Sequence, residues 1–217
     1  MTAVFDFERP ERAQIAQLAA FSSATIHETN GQCGALPHFL KPVSPEMRLH
    51  GAILTVFCPA GDNLPLHLAI EGAREGDVLV VDHEGSLDDG PFGDVMAEAC
   101  IARGIAGLVI DGCIRDATTI RAMNFPVFSR GLCIKGTTKL HAGRIGAPIR
   151  LGDQAVESGD IIVGDEDGLV VVGKLELAGL AEKCAQREQR EVELRRAIRD
   201  GISTVELLGL KRESMRD

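Results

Sequence analysis

Two aspartates and one arginine stand at the two turns where the middle of the sequence passes from a strand into a helix. Asp94 opens the helix after one buried strand, and Arg115 and Asp116 lie between the next buried strand and its helix. Because ligands of parallel sheets gather at the carboxyl ends of the strands, we expect these side chains to lie near one another. Carboxylate oxygens with water suit Mg²⁺ or Mn²⁺, and a guanidinium suits a carboxylate or an enolate oxygen. The spacing predicts a divalent-metal site that holds a small 2-oxo acid.

The first amides of the helix that Asp94 opens belong to Val95 and Met96. N–H groups in the first turn of a helix lack partners within that helix, so they attract a carboxylate. The stretch offers no thiolate or group of histidines, which argues against structural zinc. Plainer interpretations stay open. An aspartate at a helix start is usually a cap or a dipole partner, and Arg115 beside Asp116 is more often a weak surface ion pair.

Composition and charge argue against several classes of protein. A chain of 217 residues, 45% hydrophobic and 25% charged, fits one soluble domain. The formal charge of −9 argues against a nucleic-acid-binding face, which needs clustered Lys and Arg. No stretch approaches the ~18 apolar residues of a membrane span, no apolar signal run opens the chain, and the cysteines show no paired spacing. We expect a cytoplasmic protein that binds neither nucleic acid nor membrane.

Hydrophobic periodicity places the turn residues on alternating strands and helices. Strands are predicted at 49–58, 78–82, 106–110 and 125–128, and helices at 64–74, 94–103 and 116–122. The strands are apolar without alternation, so both of their faces are expected to be covered, as in a parallel sheet built from β-α-β units. Two short helices precede this part of the chain, and Ser23 or Thr25 is expected to cap the second.

The second half of the chain has a different pattern. Residues 145–172 contain short apolar runs separated by Gly-Asp turns, which predict an added antiparallel or mixed sheet. A long helix is predicted from about 175 to 199, followed by a tail to Asp217. Together these elements predict an α/β protein.

Five segments of the chain carry a wider resemblance: GDNLPLHLAI, GDVLVVD, GDVMAEACIARGIAGLVIDGCIRD, FPVFSRG and SGDIIVGDEDGLVVV. Together they resemble the RraA-like family, and more narrowly its 4-hydroxy-4-methyl-2-oxoglutarate / 4-carboxy-4-hydroxy-2-oxoadipate aldolases. The family pattern of an aspartate followed, after twenty residues, by Arg-Asp falls on Asp94, Arg115 and Asp116. The resemblance runs from Thr25 to Gly168 and is weakest at the N-terminal helix and in the tail.

The resemblance implies a fold, an activity and an assembly. The fold would be an RraA-like β/β/α swivelling-type sandwich, with a partly parallel central sheet and a long C-terminal helix, in one domain over residues 1–217. The activity would be that of a class II, divalent-metal-dependent pyruvate aldolase of aromatic-acid catabolism, with oxaloacetate decarboxylation as a side activity. We favour the carboxy-hydroxy-oxoadipate branch. The chain would form a trimer or a dimer of trimers, with residues from about 175 to 217 between subunits.

The resemblance also implies roles for the turn residues. Asp116 would bind Mg²⁺ or Mn²⁺ directly, and Asp94 would bind it through a water. Arg115 would bind the 2-oxo acid and stabilise its enolate. The amides of Val95 and Met96 would hold the carboxylate of that acid.

Further residues would line the substrate pocket in this resemblance. They are Gly93, Asn63 and His67, together with Glu28 from a neighbouring subunit. Asn63 and His67 stand one helical turn apart at the start of a helix. The sequence alone leaves open that Asn63 caps this helix and that His67 makes only a local hydrogen bond.

The predicted long helix carries a stripe that is apolar in its first turns and charged in its middle. The family places a glutamate from the adjacent chain near the waters of the metal. Glu191, ten residues before Gly201, is the better positional match for that glutamate, and Glu188 is the alternative. A helix end that simply extends into solvent would give the same stripe.

Two other functions remain open at this point. Other RraA-like proteins are thought to be non-catalytic regulators that bind a ribonuclease, and the turn residues alone do not exclude that role. A related lyase or decarboxylase that acts on another 2-oxo acid is also consistent with the sequence.

Overall fold

A mixed sheet of nine strands forms the centre of the protein. The computed structural model describes residues 2–210. In chain order the elements are β1 Thr2–Ala3, α1 Arg12–Leu18, α2 Ser23–Thr29, β2 Lys41–Pro42, β3 Leu49–Phe57, α3 Leu64–Gly72, β4 Asp77–Asp82, α4 Asp94–Ala102, β5 Gly107–Ile114, α5 Ala117–Met123, β6 Val127–Leu132, β7 Arg144–Ile145, β8 Ile149–Leu151, β9 Gln154–Val156, β10 Ile161–Gly164, β11 Leu169–Val172, α6 Leu180–Arg199 and α7 Thr204–Leu207.

Strands β3, β4, β5 and β6 are parallel neighbours in that order, and α3, α4 and α5 connect them. On the other edge of β3, β10 pairs antiparallel with residues 49–52 and β7 pairs antiparallel with residues 56–57. Strand β11 extends the sheet beyond β10, and β8 and β9 form a separate hairpin. The predicted α/β class, with a partly parallel sheet and added antiparallel strands, is confirmed.

The parallel strands are apolar because both of their faces are packed. In β4, Leu79 and Val81 belong to the core that α3, α4 and α5 cover, whereas Val78 and Val80 pack in the core beneath the β8–β9 hairpin. All four side chains are fully buried. Burying one such side chain contributes about 1.5–3 kcal/mol, so the two cores fix which face of each strand meets the helices. A third core joins α1, α2 and the start of α6 to β10 and β11.

Strand β5 is longer than the sequence predicts. The apolar run predicts an end at Ile110, whereas the strand continues to Ile114. Pairing with β6 resumes at Cys113 after a bulge, and the polar Asp111 is buried there because Arg130 of β6 forms an ion pair with it. Because β5 extends to Ile114, the next two residues, Arg115 and Asp116, begin the turn that follows the strand.

Two helix starts also differ from the prediction. Helix α2 is capped by Ser22, whose side chain accepts a hydrogen bond from the Thr25 amide, and not by Ser23 or Thr25. Helix α6 begins at Leu180 and not near residue 175, because Gly179 has a φ of 73°, which a right-handed helix cannot continue. The last seven residues of the predicted tail, 211–217, lie outside the described residues.

Helix α6 leaves the core after its first turns. Its buried residues are Leu180 and Cys184, and further along the helix Val192 is 53% exposed and Ile198 is 44% exposed. Within residues 2–210, no helix combines the length and the apolar composition that crossing a membrane would need.

Candidate active site

The carboxylate of Asp116 turns away from the helix that it precedes. Asp116 occupies the N-cap position of α5, but its side chain makes no capping hydrogen bond. Its oxygen Oδ2 instead accepts a hydrogen bond from the Asp94 amide at 3.3 Å and lies 3.4 Å from Arg115 Nε. The backbone of Asp116 is left-handed, with φ 57° and ψ 30°, which is uncommon outside glycine and is often found at functional sites. The structure thus joins the two predicted turns into one group, the turn cluster (Asp94, Arg115 and Asp116).

Gly93 allows the two turns to approach each other. A Cβ at this position would clash with Asp116 Oδ2 and stand 3.0 Å from Arg115 Nε. The φ of Gly93 is −141°, which any residue adopts, so the requirement for glycine comes from close packing and not from the backbone conformation. The sequence-based role for Gly93 was contact with substrate, and the structure adds contact with the turn cluster.

The first turn of α4 has partners within the chain. Asp94 Oδ1 accepts a hydrogen bond from the Val95 amide at 2.8 Å, and the Met96 amide donates to the Gly93 carbonyl at 3.1 Å. A carboxylate bound at Val95 would therefore replace the Asp94 oxygen as the acceptor. That these two amides hold a substrate carboxylate stays a prediction.

A cavity of about 230 Å³ lies between the starts of α3 and α4. Asp94 and Arg115 of the turn cluster line it, together with Asn63, His67 and Lys139. Four of these residues were predicted from the sequence to serve the site. Lys139 was not, because it lies in a loop and no local pattern marks it.

A larger cavity, of about 510 Å³, is also lined by Arg115 and Asp116. Leu132 and Ile134 line it too, and they are 57% and 94% exposed. The turn cluster is therefore shared by the small cavity and by this larger one.

Asn63 is buried and does not use its side chain as a helix cap. Its Nδ2 donates to the Pro91 carbonyl at 2.8 Å, which fixes the orientation of the carboxamide because a carbonyl can only accept. Its Oδ1 is buried and has no hydrogen-bond partner within the described residues. A buried acceptor without a partner costs about 1–3 kcal/mol, which makes this oxygen a candidate to accept a hydrogen bond from a ligand.

His67 is exposed enough to reach the small cavity, and its ring makes no hydrogen bond within residues 2–210. Partial burial lowers the pKa of His67, and the positive charge of Lys139 lowers it further. The imidazole is therefore neutral at neutral pH and can accept or donate a hydrogen bond.

Glu28 and Glu191 come together around Arg187. The guanidinium of Arg187 lies 3.6 Å from Glu28 Oε2 and 3.2 Å from Glu191 Oε1, and Arg195 binds the other oxygen of Glu191 at 2.6 Å. Among the described residues, neither glutamate forms a hydrogen bond or an ion pair with the turn cluster. Glu188, the alternative on the same helix, is exposed and forms no ion pair within residues 2–210.

The donor set fits a hydrated hard cation. No group of three or more His, Cys, Asp or Glu side chains that could hold a metal ion exists within the part of the chain that the structure describes. The turn cluster supplies two carboxylates, and Asp116 is 37% exposed. Mg²⁺ commonly takes one or two carboxylates and completes its coordination with water and ligand oxygens, whereas structural zinc needs four protein ligands.

Comparisons with known proteins agree with the fold. Residues 16–171 match the family model described as RraA-like, Aldolase/RraA. The chain is 32% identical to a protein of Halalkalibacterium halodurans named "Putative 4-hydroxy-4-methyl-2-oxoglutarate aldolase", over 88% of this chain and 91% of that protein.

Two solved structures extend the likeness. The structure of Streptomyces coelicolor RraAS2, described as an unusual member of the RNase ES inhibitor RraA protein family, superposes with a TM-score of 0.80 at 26% identity and covers 88% of this chain and 99% of that chain. The RNA-processing inhibitor RraA from Thermus thermophilis superposes with a TM-score of 0.66 at 26% identity and covers 70% of this chain and 92% of that chain.

Proposed function

This chain belongs to the RraA-like family, and on that premise we propose that it is a divalent-metal-dependent pyruvate aldolase. Its substrates would be 4-carboxy-4-hydroxy-2-oxoadipate and 4-hydroxy-4-methyl-2-oxoglutarate, cleaved to pyruvate plus oxaloacetate or a second pyruvate. The observation that carries the proposal is the Asp116 carboxylate, which leaves its own helix uncapped and faces Asp94 beside Arg115. Asp116 has a left-handed backbone and does not cap α5 with its side chain. Ligand binding explains this conformation better than a contribution to helix stability does.

Asp116 and Asp94 of the turn cluster would have different roles in binding the metal. Asp116 would bind Mg²⁺ or Mn²⁺ directly, and Asp94 would hold it through a water. A divalent cation supplies a Lewis acid that polarises the 2-oxo carbonyl of the substrate. The Asp94 side chain also accepts the hydrogen bond of the Val95 amide. It would therefore have to move when a substrate carboxylate binds at the first turn of α4.

Arg115 would stabilise the charge that cleavage creates. When the C3–C4 bond breaks, its electron pair moves to C3 and is delocalised onto the C2 oxygen, while the C4 hydroxyl gives its proton to water and C4 becomes a carbonyl. A guanidinium at the C2 oxygen opposes that negative charge. The enolate then takes a proton from water at C3 and becomes pyruvate. The same electron flow follows loss of CO₂ from oxaloacetate, so oxaloacetate decarboxylation is expected as a side activity.

A neighbouring copy of the chain would complete the site. Glu28 and Glu191 are joined through Arg187 on the side of the protein where α6 leaves the core, and apolar side chains are exposed both on α6 and beside Asp116. These features support contact with another copy of the chain, and we propose that the assembly is a trimer or a dimer of trimers in which each chain lends its two glutamates to the next. The six cysteines are all free thiols, which supports a location in the reducing cytoplasm.

A metal-titrated turnover assay tests this function. The purified protein, stripped with a chelator, is supplied with Mg²⁺ or Mn²⁺, and pyruvate release from each substrate is followed by coupling to lactate dehydrogenase. We expect release that depends on the metal, and loss of that release in an Asp116→Ala variant. Absence of metal-dependent pyruvate release from both substrates and from oxaloacetate would defeat the proposal.

The second candidate is a regulator that binds a ribonuclease. It is favoured by the likeness to two proteins described as inhibitors of RNA processing or of an RNase. A binding and inhibition assay with such a ribonuclease, run beside the aldolase assay, separates the two functions. Tight binding and inhibition without metal-dependent pyruvate release would support the regulator.

A further inference from the structure

A buried aspartate fixes the loop segment of residues 138–141 against the start of α3. Asp62 is 1% exposed, and its Oδ2 accepts hydrogen bonds from the Leu140 amide at 2.7 Å, the Thr138 hydroxyl at 2.7 Å and the His141 amide at 3.2 Å. Its Oδ1 accepts from the Leu64 amide at 2.9 Å. One carboxylate therefore ties Thr138, Leu140 and His141 of the loop to the first residue of α3.

Backbone pairing tightens the same junction. The Asn63 amide donates to the Thr138 carbonyl at 3.0 Å, and the Thr138 amide donates to the Gly61 carbonyl at 2.8 Å. Burial raises the pKa of Asp62, but the hydrogen bonds from Leu140 and Thr138 outweigh that effect and the pKa lies below its usual range. The carboxylate is thus charged at neutral pH and accepts from every donor that faces it.

Lys139 lies between two residues that Asp62 holds. It lines the small cavity with Asn63, His67 and Arg115, and it forms no ion pair within residues 2–210. Among the residues that line this cavity, two carry a positive charge and Asp94 alone carries a negative one. A space of about 230 Å³ with two cations suits a small ligand with two anionic groups.

We propose that Lys139 binds a second carboxylate of the substrate and that Asp62 is the positioning residue that presents Lys139 to it. The inference rests on the proposed function, since it assumes that a 2-oxo acid binds at Arg115. It assigns to this loop the selection of 2-oxo acids with a distal carboxylate over those without one. The C1 carboxylate and C2 carbonyl are assigned to the first turn of α4 and to Arg115, so neither Lys139 nor Asp62 should be needed for them to bind.

The test compares two ligands that cannot be cleaved. 2-Oxoglutarate and 2-oxopentanoate have the same 2-oxo acid group and chain length, and they differ in the distal carboxylate. With Mg²⁺ present, calorimetry on the intact protein should show that 2-oxoglutarate binds about tenfold more tightly, as expected for one charge-assisted hydrogen bond. Lys139→Met should remove this preference and leave the affinity for 2-oxopentanoate unchanged.

Two further variants separate positioning from general damage. Asp62→Asn keeps the shape of the side chain, but its NH₂ group then faces an N–H or O–H donor that the carboxylate had accepted from. The variant should therefore also lose the preference for 2-oxoglutarate, and hydrogen exchange at residues 138–141 should become faster. Lys135→Met is the matched control, because Lys135 lies in the same loop, pairs with Asp88 at 3.3 Å and does not line the cavity. It should keep the preference.

Each outcome decides one claim. A preference for 2-oxoglutarate that survives in Lys139→Met overturns the role of Lys139. A preference that is lost in Lys139→Met but kept in an Asp62→Asn protein with faster exchange overturns the role of Asp62. If the wild-type protein shows the preference but no metal-dependent pyruvate release, the proposed reaction fails while the carboxylate-binding role of the loop stands.

Discussion

The backbone amide of Asp94 donates a hydrogen bond to the side chain of Asp116 at 3.3 Å. This contact joins the first residue of α4 to the turn after β5, so the two predicted carboxylates share one site although 21 residues of chain lie between them. It also turns the Asp116 carboxylate away from α5.

Gly93→Ala should remove activity without unfolding the protein. The added Cβ would clash with Asp116 Oδ2 and crowd Arg115 Nε at 3.0 Å, so the turn cluster must shift. We expect kcat/KM for metal-dependent pyruvate release to fall by about 100-fold, as when one positioned charge-stabilising group is lost. Gly131→Ala is the matched control, since its Cβ would meet only Cys113 Sγ at 3.5 Å. Full activity in Gly93→Ala would show that the close approach is not needed.

Asp116→Asn should separate the charge of Asp116 from its backbone conformation. Asparagine tolerates the left-handed conformation that Asp116 adopts, with φ 57°, so the melting temperature should change little. The loss of the carboxylate charge should weaken Mg²⁺ binding and lower kcat by about 100-fold or more. Titration calorimetry with Mg²⁺ and a thermal melt measure the two effects. Unchanged Mg²⁺ affinity would remove Asp116 from the metal site.

Mixed oligomers test whether Glu191 acts in a neighbouring subunit. Asp116→Ala and Glu191→Ala chains should each be inactive, but in a coexpressed mixture a site can combine Asp116 of one chain with Glu191 of the next. About a quarter of the sites in an equal mixture would then be intact. A mixture of Glu28→Ala and Glu191→Ala is the control and should stay inactive, because both glutamates are expected to come from the same chain. Equal activity in both mixtures would contradict the arrangement.

Asp89→Asn should destabilise the protein at neutral pH but not in acid. Asp89 Oδ1 lies 2.5 Å from Nε2 of the buried His83, and its Oδ2 accepts from Ser86 and Gly61. Burial raises the pKa of Asp89, but the hydrogen bonds from His83 and Ser86 outweigh it and lower the pKa below its usual range.

The sign of the pH dependence follows from that lowered pKa. The carboxylate stabilises the folded state above the unfolded pKa of about 3.9, and the contribution is lost as the pH falls through the lower folded pKa. Urea unfolding at pH 7 should show a loss of about 1–3 kcal/mol in Asp89→Asn, and the difference should close below about pH 4. Asp88→Asn, at a 93% exposed neighbour, should change stability by less than about 0.5 kcal/mol at any pH. A difference in unfolding free energy between the wild type and Asp89→Asn that grows in acid would contradict the lowered pKa of Asp89.

The strands and helices around the turn cluster are predictable because their signals are local. The apolar run of β4 follows from burial, and the start of α4 follows from an acidic residue in the first helical turn. The structure confirms both elements. The end of β5 is not predictable in this way. Asp111 and Gly112 mark a turn by composition, whereas pairing with β6 and the ion pair with Arg130 keep them in the strand.

The polar contacts around the small cavity depend on residues that are distant in the sequence. Lys139 reaches the cavity because Asp62, 77 residues earlier, binds the backbone on one side of it and the hydroxyl on the other. The orientation of Asn63 likewise depends on the Pro91 carbonyl. No spacing rule predicts such contacts, because they form only after α3 and the loop have packed together.

The most direct measurement is a crystal structure of the protein soaked with Mn²⁺ and pyruvate, with the metal located by its anomalous scattering. The account predicts a single ion at coordination distance from the Asp116 carboxylate, with Asp94 linked to it through a water and the pyruvate carbonyl oxygen facing Arg115. A structure that shows bound pyruvate or Mn²⁺ elsewhere, with no ion at Asp116, would contradict the central claim.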